Sequence, residues 1–198
     1  MDSSKEGLFL LDVSSLPLER VSVLKEEDKK RFERYRQDRD KALFLGGRML
    51  IYHFLGDRPL SFTDKKKPFF VDGPYFSISH SYPYVVLAYA SSPIGVDIES
   101  TQRLSTSPVT SFFPEEDKKA YPDFGELWCL KEALFKAGGE GYFDPKEALP
   151  KLEDGRIAYR GGAYHHLSLL HNGFRLVVAS QDELDLTLTK VKWEELSF

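Results

Sequence analysis

Apolar positions follow two different periods along this chain, and the change between them outlines the elements. Runs that are apolar throughout or at alternate positions predict strands at residues 8–13, 75–81, 84–90, 94–99, 174–180 and 184–191. Stretches with good helix propensity, most with apolar residues every three or four positions, predict helices at 25–35, 37–55, 114–121 and 128–137. Helices followed by strands occur twice, which predicts an α+β fold.

This recurrence predicts two similar α+β halves, residues 1–99 and 100–198, related by a pseudo-twofold axis. In each half we expect helices packed on a small antiparallel sheet, with an active site in the cleft between the halves. Strands 75–81, 84–90 and 94–99 are joined by short turns, so the first half should hold them as a β-meander.

Composition narrows the class of protein. The chain has 198 residues, 41% of them hydrophobic, which suffices for a substantial core. The net charge of −4 gives no overall basic surface for nucleic acid. Cys129 is the one cysteine, so no intramolecular disulfide can form and a reducing compartment is expected. With no signal-peptide pattern and no run of roughly 20 apolar residues, we expect a cytoplasmic protein without a membrane span.

Three carboxylates stand in otherwise apolar elements. Asp97 and Glu99 share one side of their predicted strand, while the apolar residues between them face a core. Glu132 lies in the central predicted helix, where Lys136 follows it by one turn. If the elements meet, three acids converge and repel one another unless a cation lies between them, and oxygen ligands of this kind suit Mg²⁺. The alternatives are an exposed acidic strand face and an ion pair between Glu132 and Lys136.

Phosphate-binding groups are also present. His80 stands between two serines, Ser79 and Ser81, at the polar end of a strand. Hydroxyl and imidazole groups there can donate hydrogen bonds to phosphate, although a solvated or structural histidine is equally expected. Lys67 belongs to a basic loop whose ordinary interpretation is a solvated turn.

Three motifs stand in order in this chain: Phe76-Ser-Ile-Ser-His-Ser81, Gly95-Val-Asp-Ile-Glu99 and Trp128-Cys-Leu-Lys-Glu-Ala-Leu-Phe-Lys-Ala137. Together they resemble the 4′-phosphopantetheinyl transferases, in particular the surfactin-synthetase-activating type with two fused halves. The resemblance implies transfer of the phosphopantetheine arm of coenzyme A to a serine of an apo acyl, peptidyl or aryl carrier protein. Adenosine 3′,5′-bisphosphate would be released, and the enzyme would be a monomer that binds neither nucleic acid nor membrane.

The resemblance also implies roles for residues. Asp97, Glu99 and Glu132 would hold Mg²⁺ on the pyrophosphate. Glu132, directly or through a metal-bound water, would activate the serine, and the two lysines of the third motif would neutralise charge. The implied catalytic and coenzyme A-binding residues beyond the three acids are Lys131, Lys136, Lys67, Ser79, His80, Lys30 and Arg48.

Several assignments stay open at this level. For the 3′-phosphate, Lys29, Arg31 and Arg39 compete with Lys30 and Arg48. A further acid is expected at Glu116, with Asp117 as the alternative. Carrier docking is assigned to the segment 111–124, which contains the residues Phe112, Phe113, Lys118 and Lys119.

Two other functions would use similar residues. The same acids and lysines would serve a Mg²⁺-dependent phosphohydrolase or pyrophosphatase acting on coenzyme A without a protein acceptor. A non-catalytic module that binds carrier proteins is the third possibility, and it would require the loss of a catalytic acid.

Overall fold

The computed structural model describes residues 6–63, 67–105, 108–138 and 142–198. Its α-helices are α1 (Glu26–Phe32), α2 (Asp38–Leu55), α3 (Thr101–Ser105), α4 (Glu115–Ala120) and α5 (Phe124–Gly138). Short 3-10 helices cover Leu18–Val23, Pro108–Phe112 and Trp193–Glu195. The strands are β1 (Gly7–Asp12), β2 (Ser61–Phe62), β3 (Pro68–Phe69), β4 (Tyr75–Ser81), β5 (Tyr84–Ala90), β6 (Ile94–Ser100), β7 (Ile157–Tyr159), β8 (Gly162–His171), β9 (Phe174–Ser180) and β10 (Leu188–Val191).

These strands form two four-stranded sheets and a two-stranded ribbon, so the chain is a mixed α+β protein. The first sheet has the order β10-β1-β5-β4 and the second the order β6-β9-β8-β7, while β2 pairs with β3. All named pairs are antiparallel except β1 with β10, which is parallel. The helices and most strands predicted from the apolar pattern lie where it placed them.

The predicted meander is only half correct. Strands β4 and β5 form the expected hairpin, but β6 leaves that sheet and pairs with β9 along its whole length. The pattern identified β6 as a strand, yet alternation of apolar residues does not specify which strand supplies the hydrogen-bonding partner. As a result, β6 carries Asp97 and Glu99 into the second sheet.

The predicted boundary at residue 99 remains a prediction, as does the pseudo-twofold relation. Strand β6 precedes that boundary and joins the second sheet, whereas β10 follows it and joins the first. Each of the two sheets therefore contains one strand that comes from the other predicted half of the chain.

Apolar side chains fill the space around both sheets. Helix α2 packs on the first sheet through residues such as Leu45 and Leu50, which are completely buried. Helix α5 covers the second sheet with its own buried leucines, Leu127, Leu130 and Leu134. No helix among the described residues combines the length and the apolar character needed to cross a bilayer.

Candidate active site

The two sheets meet where β4 and β6 run side by side. Serines on alternate positions of β4 make the hydrogen bonds across this seam. The backbone N–H of Val96 donates to Ser77 Oγ at 3.1 Å, and that of Ile98 donates to Ser79 Oγ at 3.4 Å. Because successive side chains of a strand point to opposite faces, the serines two residues apart all reach β6.

Helix α5 lies directly against β6 at Gly95. A Cβ atom on Gly95 would lie 1.9 Å from the backbone oxygen of Ala133 and 2.6 Å from the backbone nitrogen of Ala137. The absence of a side chain at Gly95 permits this close approach of the two backbones. This contact brings the α5 residues Glu132 and Lys136 beside the carboxylates of β6.

Asp97 is at the centre of the seam and only 5% exposed. Its Oδ1 atom accepts hydrogen bonds from Ser79 Oγ and from Lys136 Nζ, both at 2.7 Å. Its Oδ2 atom is buried and has no hydrogen-bond partner among the described residues. Burying a carboxylate oxygen without a hydrogen-bond donor costs free energy, so a ligand that binds this atom would be stabilising.

Lys136 connects the helix to the seam. Its ammonium group also donates to the carbonyl oxygen of Val96 at 3.1 Å and to Ser79 Oγ at 3.2 Å. Burial alone would lower the pKa of Lys136, but the charge and hydrogen bond of Asp97 raise it above the ordinary value of 10.5. The predicted ion pair of Lys136 with Glu132 is replaced by the pair with Asp97.

Glu99 and Glu132 complete a group of three neighbouring acids. Glu99 Oε2 accepts a hydrogen bond from Ser81 Oγ at 2.9 Å and lies 3.5 Å from Arg103 Nη1. Burial raises the pKa of Glu99 and of Glu132 above 4.5, and the negative charge of Asp97 adds to the rise for both. Within the described ranges no three His, Cys, Asp or Glu side chains are already gathered as a metal-binding group.

Two more groups with affinity for phosphate border the seam. Lys67 Nζ donates a short hydrogen bond to the carbonyl oxygen of Lys136, at the C-terminal end of α5. Burial, followed by the charge of Lys136, lowers the pKa of Lys67. Desolvation and the same Lys136 charge lower the pKa of His80 below 6.5, so its imidazole is neutral at pH 7 and can donate a hydrogen bond without carrying charge.

A cavity of about 240 Å³ opens next to His80. Basic and aromatic side chains share its wall, namely Arg31, Arg48, Phe44, Phe62, Tyr35 and His80. The guanidinium groups of both arginines lie over the rings of Phe44 and Phe62, at 5.1 to 5.9 Å from the ring centres. Such a wall suits a flat base together with an anionic group.

The wall of the cavity contains only some of the basic residues that the sequence left as alternatives for the 3′-phosphate. Arg48 lines it, with its Nε atom 2.8 Å from Asp28 Oδ2. Arg31 also lines it, whereas the predicted Lys30 is exposed on α1 and is not part of the wall. Adjacent helix positions differ by about 100°, so a charged run does not show which member faces inward.

The sequence missed the aromatic part of this wall. Phe44 and Arg48 are four residues apart on α2, so their shared face could have been recognised. Phe62 lies on the two-residue strand β2, which is too short to give a periodic pattern.

Lys131 contacts other residues than the three acids through its ammonium group. Its side chain and that of Asp117 are each 3% exposed, and Lys131 Nζ is 2.7 Å from Asp117 Oδ2. The same ammonium group donates to the carbonyl oxygen of Glu147. We therefore remove Lys131 from the proposed catalytic set, because its ammonium group is bound to Asp117 and the Glu147 carbonyl and not to any of the three acids. Asp117, the alternative to Glu116 as a further acid of the site, is paired with this same lysine.

The residues predicted for carrier docking are divided by burial. Phe112 is 51% exposed, while Phe113 is 3% exposed and packs with Trp128 in the core of the second sheet. Lys118 is paired with Glu115 at 2.7 Å, and Lys119 is exposed. Phe113 is thus a core residue and cannot contact a partner without rearrangement. Glu116 is also exposed, on α4.

Comparison with known proteins shows which enzymes this chain resembles. The model of the 4′-phosphopantetheinyl transferase superfamily matches residues 93–179, which include the three acids and both motif lysines. The 4′-phosphopantetheinyl transferase Sfp of Bacillus subtilis (strain 168) is 27% identical over 203 residues, 89% of this chain and 91% of that relative.

Two further relatives agree. The 4′-phosphopantetheinyl transferase gsp of Aneurinibacillus migulanus is 26% identical over 200 residues, 88% of this chain and 84% of its own. A 4′-phosphopantetheinyl transferase of Bacillus subtilis is 37% identical over 90 residues, 40% of each chain. This chain is thus similar to 4′-phosphopantetheinyl transferases over most of its length, and residues 93–179 match the model of their superfamily.

Proposed function

We propose that this protein transfers the 4′-phosphopantetheine arm of coenzyme A to a serine of an apo acyl or peptidyl carrier protein. The observation that carries the proposal is the buried Asp97 carboxylate, held by Lys136 with one oxygen open, at the seam where Glu99 and Glu132 also lie. The similarity to transferases over most of the chain agrees with it.

The acids fit a divalent cation. Asp97 Oδ2 is buried without a donor, and the pKa values of Glu99 and Glu132 are raised in part by the other carboxylates. A cation held by Asp97, Glu99 and Glu132 would give Asp97 Oδ2 a partner and would offset the repulsion among the three carboxylates. Mg²⁺ favours such oxygen ligands. Bound Mg²⁺ would polarise the phosphoryl group of the coenzyme A pyrophosphate.

The nucleotide end of coenzyme A is assigned to the cavity beside His80. Its aromatic wall suits the adenine base, and Arg31 and Arg48 suit the 3′-phosphate. His80 lines this cavity, Lys67 contacts the Lys136 carbonyl and Lys136 contacts Asp97, which supports a role of these three residues in binding the pyrophosphate.

The chain's residues then have distinct tasks in phosphoryl transfer. The serine oxygen of the carrier forms a new bond to phosphorus, while the bond from that phosphorus to the leaving adenosine 3′,5′-bisphosphate breaks. Glu132 accepts the serine proton as general base. The positive charges of Lys67 and Lys136 stabilise the negative charge that develops on the leaving bisphosphate, while Lys136 stays hydrogen-bonded to Asp97, Val96 and Ser79.

Intact mass spectrometry of apo-carrier proteins tests the proposal. Incubation with enzyme, coenzyme A and Mg²⁺ should add one phosphopantetheine group per carrier and release an equal amount of adenosine 3′,5′-bisphosphate. Asp97→Ala should lower the rate per folded molecule at least about 100-fold, and the loss of the pair with Lys136 should also lower the thermal transition. Full activity with excess chelator, or hydrolysis of coenzyme A at the same rate without a carrier, would reject the assignment and favour the phosphohydrolase.

A further inference from the structure

The hydroxyl group of Ser79 has all its hydrogen-bonding capacity in use. It donates its proton to Asp97 Oδ1 at 2.7 Å. It accepts from Lys136 Nζ at 3.2 Å and from the backbone N–H of Ile98 at 3.4 Å. A serine hydroxyl has one proton and two lone pairs, so Ser79 has no proton left to donate to a phosphate.

This arrangement fixes which oxygen of Asp97 is free. Ser79 and Lys136 both bind Oδ1, and they leave Oδ2 buried without a donor among the described residues. Without the Ser79 hydroxyl the carboxylate loses one of the groups that set its rotation. Carboxylates that bind metals depend on such hydrogen bonds for their orientation.

The neighbouring Ser77 provides an internal comparison. It lies two residues earlier on the same face of β4 and accepts the backbone N–H of Val96 at 3.1 Å. Its contact therefore matches the structural part of the Ser79 contact, but it is not bonded to any carboxylate in the described contacts. The two serines separate the task of joining the sheets from the task of holding Asp97.

We propose that Ser79 is a positioning residue that orients Asp97, so that Oδ2 is presented to the divalent cation, and that it is not a direct ligand of the coenzyme A phosphates. The inference rests on the proposed function for the identity of the cation and of coenzyme A. It differs from the role that the sequence motif implied, which was direct binding of coenzyme A.

Binding measurements on the full chain without a carrier protein test this inference. Mn²⁺ serves as the probe, and its free concentration is measured by electron paramagnetic resonance in the presence of saturating coenzyme A. Ser79→Ala should weaken Mn²⁺ binding about 10- to 100-fold. Ser77→Ala should change it less than about twofold, because no carboxylate depends on that hydroxyl. Calorimetry with coenzyme A in excess chelator should give the same affinity for both variants and for the native chain.

Each other outcome overturns the inference. Equal Mn²⁺ affinities of the two variants would make Ser79 only a link between the sheets. A selective loss of coenzyme A affinity by Ser79→Ala in chelator would make it a phosphate donor. If Ser79→Ala does not fold, Ser79→Cys fills similar space with a weak donor and should show the same loss of Mn²⁺ affinity. Because no transfer step is measured, failure to modify any carrier would reject the proposed function without altering these results.

Discussion

Lys131 and Lys136 are five positions apart on α5, yet their ammonium groups contact different parts of the molecule. Lys136 reaches the seam and pairs with Asp97, whereas Lys131 is buried with Asp117. Asp117 Oδ1 also accepts the backbone N–H of Leu149 at 2.9 Å. The pair therefore ties α4 and the chain near residue 149 to the central helix.

We expect Lys131→Met to destabilise the protein by about 3–5 kcal/mol, because it leaves a buried carboxylate without a cation. Activity should fall with the folded fraction. Adding Asp117→Asn removes the stranded charge while an amide oxygen still accepts from Leu149, so the double variant should recover most stability and activity. Urea unfolding and transfer assays measure both. A double variant that is stable but inactive would show that Lys131 takes part in the reaction.

The raised pKa of Glu132 predicts a pH-dependent stability in the absence of metal. With a folded-state pKa above 4.5, the folded protein binds a proton more readily than the unfolded chain. This contribution to stability is present below pH 4.5 and is lost as the pH rises through the folded-state pKa. Glu132→Gln should therefore be more stable than the native chain at pH 8 in chelator, and the difference should vanish below pH 4.5.

Urea unfolding across this pH range, with Glu153→Gln as a control for removal of an exposed carboxylate, measures the effect. Added Mg²⁺ should stabilise the native chain more than Glu132→Gln, because the variant loses one proposed ligand. A variant that is less stable than the native chain in chelator at pH 8 would contradict the proposed repulsion.

At the scale of elements, the contact between β6 and α5 determines the spacing of the acids. The strand supplies Asp97 and Glu99, the helix supplies Glu132 and Lys136, and Gly95 allows their backbones to touch. A side chain at this position would meet backbone atoms, which cannot rotate away. The geometry of the site is thus coupled to the packing of one helix on one strand.

We expect Gly95→Ala to cost at least about 2–3 kcal/mol and to lower activity further, because strand and helix must separate. Gly138→Ala, on helix α5, is the control. Its Cβ would lie 3.5 Å from Tyr164 Oη, which is an ordinary van der Waals contact. The free energy of unfolding of Gly138→Ala should stay within about 1 kcal/mol of that of the native chain. Thermal unfolding and Mn²⁺ binding check both. If Gly95→Ala binds Mn²⁺ as tightly as the native chain, metal binding does not depend on the packing of α5 against β6.

At the scale of the whole molecule, two sheets from one chain enclose the seam. Strand β4 of the first sheet and β6 of the second contribute its two sides. Because every proposed site residue comes from this chain, we propose a functional monomer. Sedimentation equilibrium at assay concentrations should give one chain per particle, and activity found only in a larger assembly would contradict this proposal.

Carrier docking is proposed at the exposed part of the segment 111–124. Phe112 is 51% exposed beside the ammonium group of Lys146, and Lys119 is exposed on α4. Acidic carriers would find apolar and basic groups together here. The buried Phe113 joins this surface to Trp128, which lies one helical turn before Glu132.

Phe112→Ala with Lys119→Glu should raise the apparent KM for the carrier about tenfold, corresponding to about 1.4 kcal/mol. The KM for coenzyme A should stay unchanged, since its proposed cavity lies on α2. Lys190→Glu, an exposed charge reversal on β10, is the control. Steady-state kinetics at low and high salt measure the effect. Equal changes in both KM values would show that this segment is scaffold.

The sequence by itself determined most local structure and the list of chemically important residues. Helices α2 and α5 and the strands near Asp97 follow from periodicity, which acts over a few neighbouring positions. The three motifs also selected Asp97, Glu99 and Glu132 before any distance was available.

Only the tertiary structure decided how those residues are used. It paired β6 with β9, buried Lys131 and Phe113, and placed Arg31 in the cavity in preference to Lys30. The reason is physical: strand pairing, burial and charge partners depend on residues distant in sequence, which local periodicity does not encode. The single proton of Ser79, directed at Asp97, became visible only when β4 and β6 were brought together.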